Sequence, residues 1–494
     1  MRVFKSAAFI KVTELLPVFI IVAGIILRIV VYLQNRCLII DEANIARNIY
    51  ERGYTALAMP LNYEQYAPPI FLWMLKACTQ FFGYSEYVFR LVPFFSASVS
   101  LLLLYDLLKH FIRRSSMWHV LFLMASGAIY IRYATEVKQY STDMMVALVL
   151  IRLAIGRIMP AGRQAGFIAK WAFGGSLAIW LSMPSVFVLV AVAGYYAYDI
   201  VRSKRYEDLR SLILICAIWA AQFLIYYCII LKPQIHSDYL QNWHQGYFLN
   251  LLPLTAANWE NNWIVGIRVL ENAGGHWALS VIFHLLMMGI GAAWLLKKDT
   301  AKAILILTPI VLVYIAAAMH QYTLIPRVML FSMPLMLVLI AKGIDTILRR
   351  GILLLNFAVV IVSVICIVNF NRFDLYTHKM ENEEMTLSMD YLQQNHINAS
   401  QLYVHDIAAP AYIYYTNIHP QKEKHTSLAG ATIMKWDTDY SALSASAGDT
   451  SAFLHSYVSN PDQYNALMDR MNERHQLQSR FDSLNTHVMI YTRK

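Results

Sequence analysis

Two adjacent acids, Asp41 and Glu42, stand in the stretch "LIIDEANIARNIYERG", directly after a long apolar run. A carboxylate at that place has two uses. It can cap a helix beginning at Glu42 or Ala43, a common use of Asp, or it can serve as a general acid or base once positioned near a reacting proton. Other charged groups lie far along the chain. "YATEVKQYSTD" carries Tyr133, Glu136, Tyr140 and Asp143, whose spacing puts all four on one face if the segment is helical. An acid-and-phenol stripe beside apolar segments is costly unless paired or solvated. "FGYSEYVFRLVP" places Arg90 just inside an apolar segment, and "QYTLIPRVMLFSMP" places Arg327 at the mouth of another. Singly, each arginine reads as an interfacial anchor with its stem along apolar surface. Together the clusters outline one polar rim.

The elements that must position these groups are membrane spans. The chain has 494 residues, is 58% hydrophobic and only 15% charged, which excludes an ordinary soluble protein. About eleven segments meet the length and apolarity needed to cross a bilayer. They lie near 14–35, 86–108, 116–133, 139–157, 167–182, 184–200, 211–231, 276–296, 303–319, 326–347 and 352–370. The first follows Arg2, Lys5 and Lys11, is too long for a signal-peptide core and lacks a small-residue cleavage site, so it reads as a retained anchor.

A formal charge of +10 could indicate nucleic acid, but its distribution argues otherwise. The basic residues gather between spans: Lys109, Arg113 and Arg114; Arg152, Arg157, Arg163 and Lys170; Arg202, Lys204, Arg205 and Arg210; Lys297, Lys298 and Lys302; Arg349 and Arg350. With alternating spans, every cluster falls on the side of the N-terminus. That is the positive-inside pattern. It predicts a cytoplasmic N-terminus and, with an odd span count, a C-terminal region outside the cytoplasm. The five cysteines are scattered, with no CxxC pair, and HExxH is absent, so neither a disulfide framework nor a zinc site is indicated.

The fold class expected is therefore an α-helical integral membrane protein with a small C-terminal α/β domain outside the cytoplasm. Residues 1–370 form the polytopic part, with outer-side loops at 36–85 and 232–275, and residues 371–494 the soluble part. In the first loop, Ile45 and Ile49 share a helix face, which suits a short helix lying flat in the interface. A second short helix starts at Pro68 and Pro69 and ends near Gly83. The second loop contains "HSDYLQNWHQGYF" and "NWENNW", an aromatic density that fits an interfacial belt or a sugar platform. In the tail, "EEMTLSMDYLQQN", "PAYIYYT" and "DQYNALMDRMNERHQ" read as helices. "QLYVHD", "SAFLHSYV" and a final pair ending "HVMIYTR" read as strands.

An acidic pair after the first span, a double proline, "FG.SE...RL.P", "Y..E.K.Y" and "P.R..LF..P" follow one another in this order. In this the sequence resembles the polytopic glycosyltransferases of the glycosyltransferase C superfamily. The subgroup it is most similar to is that of the bacterial dolichyl-phosphate-mannose protein mannosyltransferases and aminoarabinose transferases. The resemblance covers roughly Leu15 to Pro334.

The resemblance implies transfer of a sugar from a polyprenyl-phosphate donor to an acceptor hydroxyl on a lipid, protein or glycan. The reaction would proceed with inversion, at the outer face of the cytoplasmic membrane of a bacterium. Asp41 matches the catalytic acid of the family, with Glu42 in support. Lys138 and Arg327 match basic positions that hold the lipid phosphate, with Arg90 as a third cation. Glu136 lies in the same motif, and Tyr140 and Tyr322 are placed to donate hydrogen bonds to phosphate or sugar. No cofactor is obligatory, although Asp41 and Glu136 could hold a divalent cation against the phosphate. One departure stands out: many relatives carry Lys or His before the double proline, where this chain has Ala67, preceded by Gln65 and Tyr66. The Trp-Trp-Asp signature of oligosaccharyltransferases is also absent. The rival reading is a lipid-linked-sugar flippase or transporter without catalysis. That reading calls for mid-membrane charges on broken helices, often in repeated halves.

Overall fold

The computed structural model describes residues 7–156, 164–235, 242–372, 374–377, 379, 382–435, 438, 443, 447–457 and 461–494. Arg2, Lys5, Arg157 and Arg163, and the "HSDYLQ" part of the second loop, lie outside the described residues.

Among the described residues, seven helices are long and apolar enough to cross a membrane: Leu15–Leu33, Glu86–Leu108, Ser185–Arg202, Tyr206–Leu231, Ala278–Lys298, Thr300–Ala318 and Leu353–Phe370. The other expected spans are helical but shorter. Residues 116–133 do not form one continuous helix. They form α5 (Trp118–Ser126) and α6 (Ala128–Arg132), separated at Gly127. Glycine is needed at the break: a Cβ on Gly127 would sit 2.4 Å from the ring of Phe370, so only glycine lets the last apolar helix close against this corner. Helix α7 covers Tyr140–Ala154. The expected span at 326–347 begins as a helical turn at Val328–Phe331 and continues as Met333–Leu348, nearly every residue of which is buried. These inner helices are covered by protein, so their length is set by packing partners rather than by bilayer thickness.

The basic turn after α4 (Glu86–Leu108) is tied to the end of Met333–Leu348. Arg113, Ser116 and Arg349 all bind the buried carboxylate of Asp345, and Lys342 donates to the carbonyl of Phe111. The acidic and aromatic segments singled out above gather elsewhere. There α1 (Ala7–Leu33) leads to α2 (Ile40–Glu51), and α3 (Pro69–Phe82) starts on the double proline.

The tail forms a five-stranded sheet of order β2-β1-β3-β5-β4, made of Thr432–Met434, Leu402–His405, Thr450–Ser456, Thr486–Arg493 and His475–Ser483 in that order. Strand β1 pairs in parallel with β2 and β3, and β5 runs antiparallel between β3 and β4. The short edge strand β2 was not expected from the sequence. One sheet face carries Phe453, Met489 and Tyr491 and is covered by Leu467 and Met471 of the helix Pro461–Arg474. The opposite face carries Val404, Leu454, Val488 and Ile490. It shares one buried core with Leu38, Ile45, Ile49, Phe71 and Phe89. The apolar face of α2 is therefore covered by protein and does not lie open to an interface, because the tail supplies the partner surface.

Candidate active site

The first turn of α2 is fixed by Glu42. The helix begins at Ile40, two residues earlier than a cap at Asp41 would require, and the carboxylate of Glu42 reaches back to the amide of Ile39 at 3.3 Å. Capping thus falls to Glu42, not to Asp41. The same carboxylate accepts from Arg36 at 2.7 and 3.1 Å, from Arg90 Nη2 at 3.2 Å and from the amide of Val137 at 2.8 Å. Burial works against charge on Glu42, but Arg36, Arg90 and the Val137 amide outweigh it and hold the carboxyl at about 2. Arg90 spends its remaining donors on the carbonyls of Arg36 and Cys37. Glu42, expected in support of Asp41, and Arg90, expected as a third cation for the phosphate, form a buried clamp that joins α2, α4 and the 133–139 segment. Arg36 completes that clamp, and nothing in its spacing marks it in the sequence.

Asp41 points the other way. Its side chain is 32% exposed, accepts from Gln65 Nε2 at 3.2 Å and lies 3.9 Å from Lys138 Nζ. Lys138 donates to Gln65 Oε1 at 2.6 Å. Gln65 thus bridges the acid and the lysine, from a position two residues before the Ala67 that replaces the family's basic residue. The nearby ammonium of Lys138, chiefly, keeps Asp41 below its ordinary carboxyl value. Burial opposes this, and Arg327 and the Gln65 amide add to it. Asp41 is therefore ionised at neutral pH, has no ion pair closer than 3.9 Å among the described residues, and is open on one side.

The "YATEVKQYSTD" segment differs from expectation. Residues 133–139 form a tight non-helical turn between α6 and α7, so Tyr133, Glu136, Tyr140 and Asp143 do not form a helical stripe. The turn brings the first and third together by another route: the rings of Tyr133 and Tyr140 meet edge to face at 5.2 Å. The physical reason is Glu42, which takes the Val137 amide that a continuous helix would use internally. Glu136 is buried and pairs with Arg132 at 3.3 Å. Burial, reinforced by the charge of Glu42, raises its carboxyl above the ordinary value despite Arg132.

Arg327 sits within electrostatic reach of Asp41, Glu136, Tyr133 and Tyr140, and its buried Nε has no hydrogen-bond partner among the described residues. It lines a cavity of about 600 Å³ whose walls also include Arg132, Tyr133, Trp243, His276 and Arg372. Trp243 of the second loop lies over the Arg327 guanidinium at 5.8 Å and is exposed on its other side, and Trp259 and Trp263 of the same loop are exposed as well. The aromatic loop thus contributes both to the site and to outward surface. Tyr322 is buried, donates to the carbonyl of Val328 at 3.2 Å and packs against Phe187 and Phe331. Arg132 and Arg372 were not singled out in the sequence, whereas Trp243 lies in the aromatic stretch that was. Arg132 adjoins a motif that was singled out, and Arg372 is brought in only by tertiary folding. Among the described residues no three His, Cys, Asp or Glu side chains converge as a metal-ligand set. Asp41 and Glu136 are the acids available nearby, and Arg132 already pairs with Glu136.

No family model and no curated protein sequence matches this chain. Solved structures do. ArnT from Cupriavidus metallidurans in the apo state aligns with a TM-score of 0.54 and 13% identity over 98% of both chains. The same protein bound to undecaprenyl phosphate gives 0.53 and 13%, over 96% of this chain and 97% of that one. The Archaeoglobus fulgidus oligosaccharyltransferase in complex with Zn and sulfate gives 0.52 and 11%, over 97% of this chain and 73% of that one. At such identities the likeness is one of fold, and it extends over nearly the whole chain, sheet included. The chain shares the fold of ArnT from Cupriavidus metallidurans and of the Archaeoglobus fulgidus oligosaccharyltransferase.

Proposed function

We propose that this chain transfers a sugar from a polyprenyl-phosphate-linked donor to an acceptor hydroxyl on a lipid, protein or glycan, at the outer face of the cytoplasmic membrane. The observation that carries the reading is Asp41: an ionised, half-open carboxylate held by Gln65 and Lys138 within electrostatic reach of Arg327, which lines the cavity. The fold shared with a protein crystallised on undecaprenyl phosphate supports a lipid phosphate as the donor's carrier.

In this reading the acceptor hydroxyl donates its hydrogen to Asp41. The acceptor oxygen forms a bond to the anomeric carbon as the bond from that carbon to the phosphate oxygen breaks, with inversion. The proton passes to Asp41, and the electron pair leaves on the polyprenyl phosphate. A carboxylate with a lowered pKa is a weak base, so its main service is to orient the hydroxyl and take the proton late. The larger demand is negative charge growing on the leaving phosphate. Lys138 and Arg327 are the cations positioned to answer it, because preformed charges at the site need no reorganisation during reaction. Tyr140 stands beside Arg327 as a hydroxyl donor, and Glu136 holds Arg132. Glu42 and Arg90 act through position: they keep the first turn of α2 in place. The reaction as written needs no metal, and a divalent cation bound at Asp41 and Glu136 would add to the positive charge at the phosphate.

The experiment is conversion of a labelled polyprenyl-phosphate sugar by the purified protein in lipid. Release of polyprenyl phosphate together with a glycosylated acceptor supports transfer. Movement of intact donor across the bilayer without bond cleavage would support a flippase instead.

A further inference from the structure

The tail meets the Asp41-bearing link directly. Tyr415 is 1% exposed, and its hydroxyl receives the amide of Leu38 at 3.1 Å and donates to Glu86 Oε1 at 2.9 Å. His419 Nε2 meets the other oxygen of Glu86 at 3.1 Å. Leu38 lies three residues before Asp41, and Glu86 starts the helix that carries Arg90. One phenol from the C-terminal region therefore closes a ring of bonds through the α1–α2 link and α4, whose other half is the Arg90–Glu42 pair. Two more tail contacts fall on the same link: Cys37 Sγ approaches Thr386 Oγ1 at 3.3 Å, and Gln34 Nε2 donates to the carbonyl of Leu375 at 3.0 Å. Backbone amides buried next to apolar groups need a partner, and here the partner of Leu38 comes from 377 residues away.

We propose that Tyr415, seated on Glu86 with His419, is a positioning residue that fixes the backbone leading to Asp41, so that the C-terminal sheet region is part of the catalytic apparatus rather than an appendage. The proposal rests on Asp41 being the working acid. The bonds of Tyr415 touch no substrate. They set where the carboxylate stands, and displacement of a reacting group by about 1 Å can cost roughly a hundredfold in rate.

The test compares Tyr415→Phe with Tyr414→Phe in the full-length protein in lipid. Tyr414 is the neighbouring phenol, and its hydroxyl bonds the carbonyl of Tyr84, off the Asp41 link. Both substitutions keep the ring and its packing. Tyr415→Phe is expected to speed amide exchange at residues 37–44 and to lower kcat by roughly ten- to a hundredfold, with donor KM and melting temperature near wild type. His419→Ala should move both readouts the same way by less, and His419→Gln, which can still donate to Glu86, should restore them. Wild-type exchange and kcat in Tyr415→Phe, or the same changes in Tyr414→Phe, would overturn the proposal. A wild-type protein that transfers no sugar would retire the function instead, and the exchange measurement would still decide the clamp.

Discussion

Lys138 Nζ stands 3.9 Å from Asp41 Oδ2 and 2.6 Å from Gln65 Oε1, so the lysine touches the acid loosely and the amide tightly. That geometry leaves the carboxylate charged yet free to accept a proton donor from outside. Lys138 is the leading cause of the lowered pKa of Asp41. If ionised Asp41 is needed for transfer, the acid limb of kcat/KM reports it. Lys138→Ala should then raise the Asp41 pKa and move that limb to higher pH, besides lowering the plateau. Profiles between about pH 3 and 8 for wild type and variant check this. An unmoved limb would mean that another group sets it.

Glu42 should behave in the opposite way from its neighbour. Replacing it with Ala leaves Arg36 and Arg90 buried without a counter-charge, which costs about 3–5 kcal/mol for a buried pair broken on one side. Thermal unfolding in detergent should show a large loss for Glu42→Ala and almost none for Asp41→Asn.

The buried Glu42 also makes stability depend on pH. Its carboxyl lies at about 2 in the folded protein against an ordinary value of 4.5. A depressed folded pKa means the contribution is complete above about 4.5 and is lost as pH falls toward about 2. Melting temperature measured across that window should fall more steeply for wild type than for Glu42→Gln.

Arg327 is expected to need its own geometry as well as its charge. Its Nε is buried without a hydrogen-bond partner among the described residues, and a guanidinium can grip a phosphate through two bonds where an ammonium cannot. Arg327→Lys should be impaired, and Arg327→Ala should lose roughly 10²–10³ in transfer. Donor binding should weaken in Arg327→Ala and in Lys138→Ala. Wild-type donor affinity in the variant lacking both would remove them as phosphate ligands.

Orientation has an independent check. The charge pattern predicts that a reporter fused after Lys494 is active only outside the cytoplasm. Activity inside would place the sheet and Asp41 on the wrong side for the proposed reaction.

What the sequence revealed follows from what is local. Each expected apolar segment contains a helix, because hydrophobicity over a window is a local property. The ordered motifs named Asp41, Lys138 and Arg327, and the fold brings both cations within electrostatic reach of the acid. The break at Gly127 was not legible, and the close approach of Phe370 that demands glycine there comes from far along the chain. The shared face proposed for Tyr133 to Asp143 held only if the junction between the two spans were helical, and there the amide of Val137 goes to Glu42, a partner 95 residues away. Gln65 went unassigned because a neutral amide announces no chemistry until its two neighbours are seen. The two acids at the start of α2 could not be told apart by type. Their roles separate only when Glu42 is found under Arg36 and Arg90 and Asp41 is found open.

The central claim is that Asp41 acts on the substrate and does not serve the fold. The direct measurement is single-turnover transfer from a labelled polyprenyl-phosphate sugar by Asp41→Asn in lipid, with donor binding and melting temperature recorded on the same preparation. Loss of transfer by roughly 10²–10⁴-fold, with donor binding and stability kept, is the predicted result. Transfer at the wild-type rate by Asp41→Asn would contradict it.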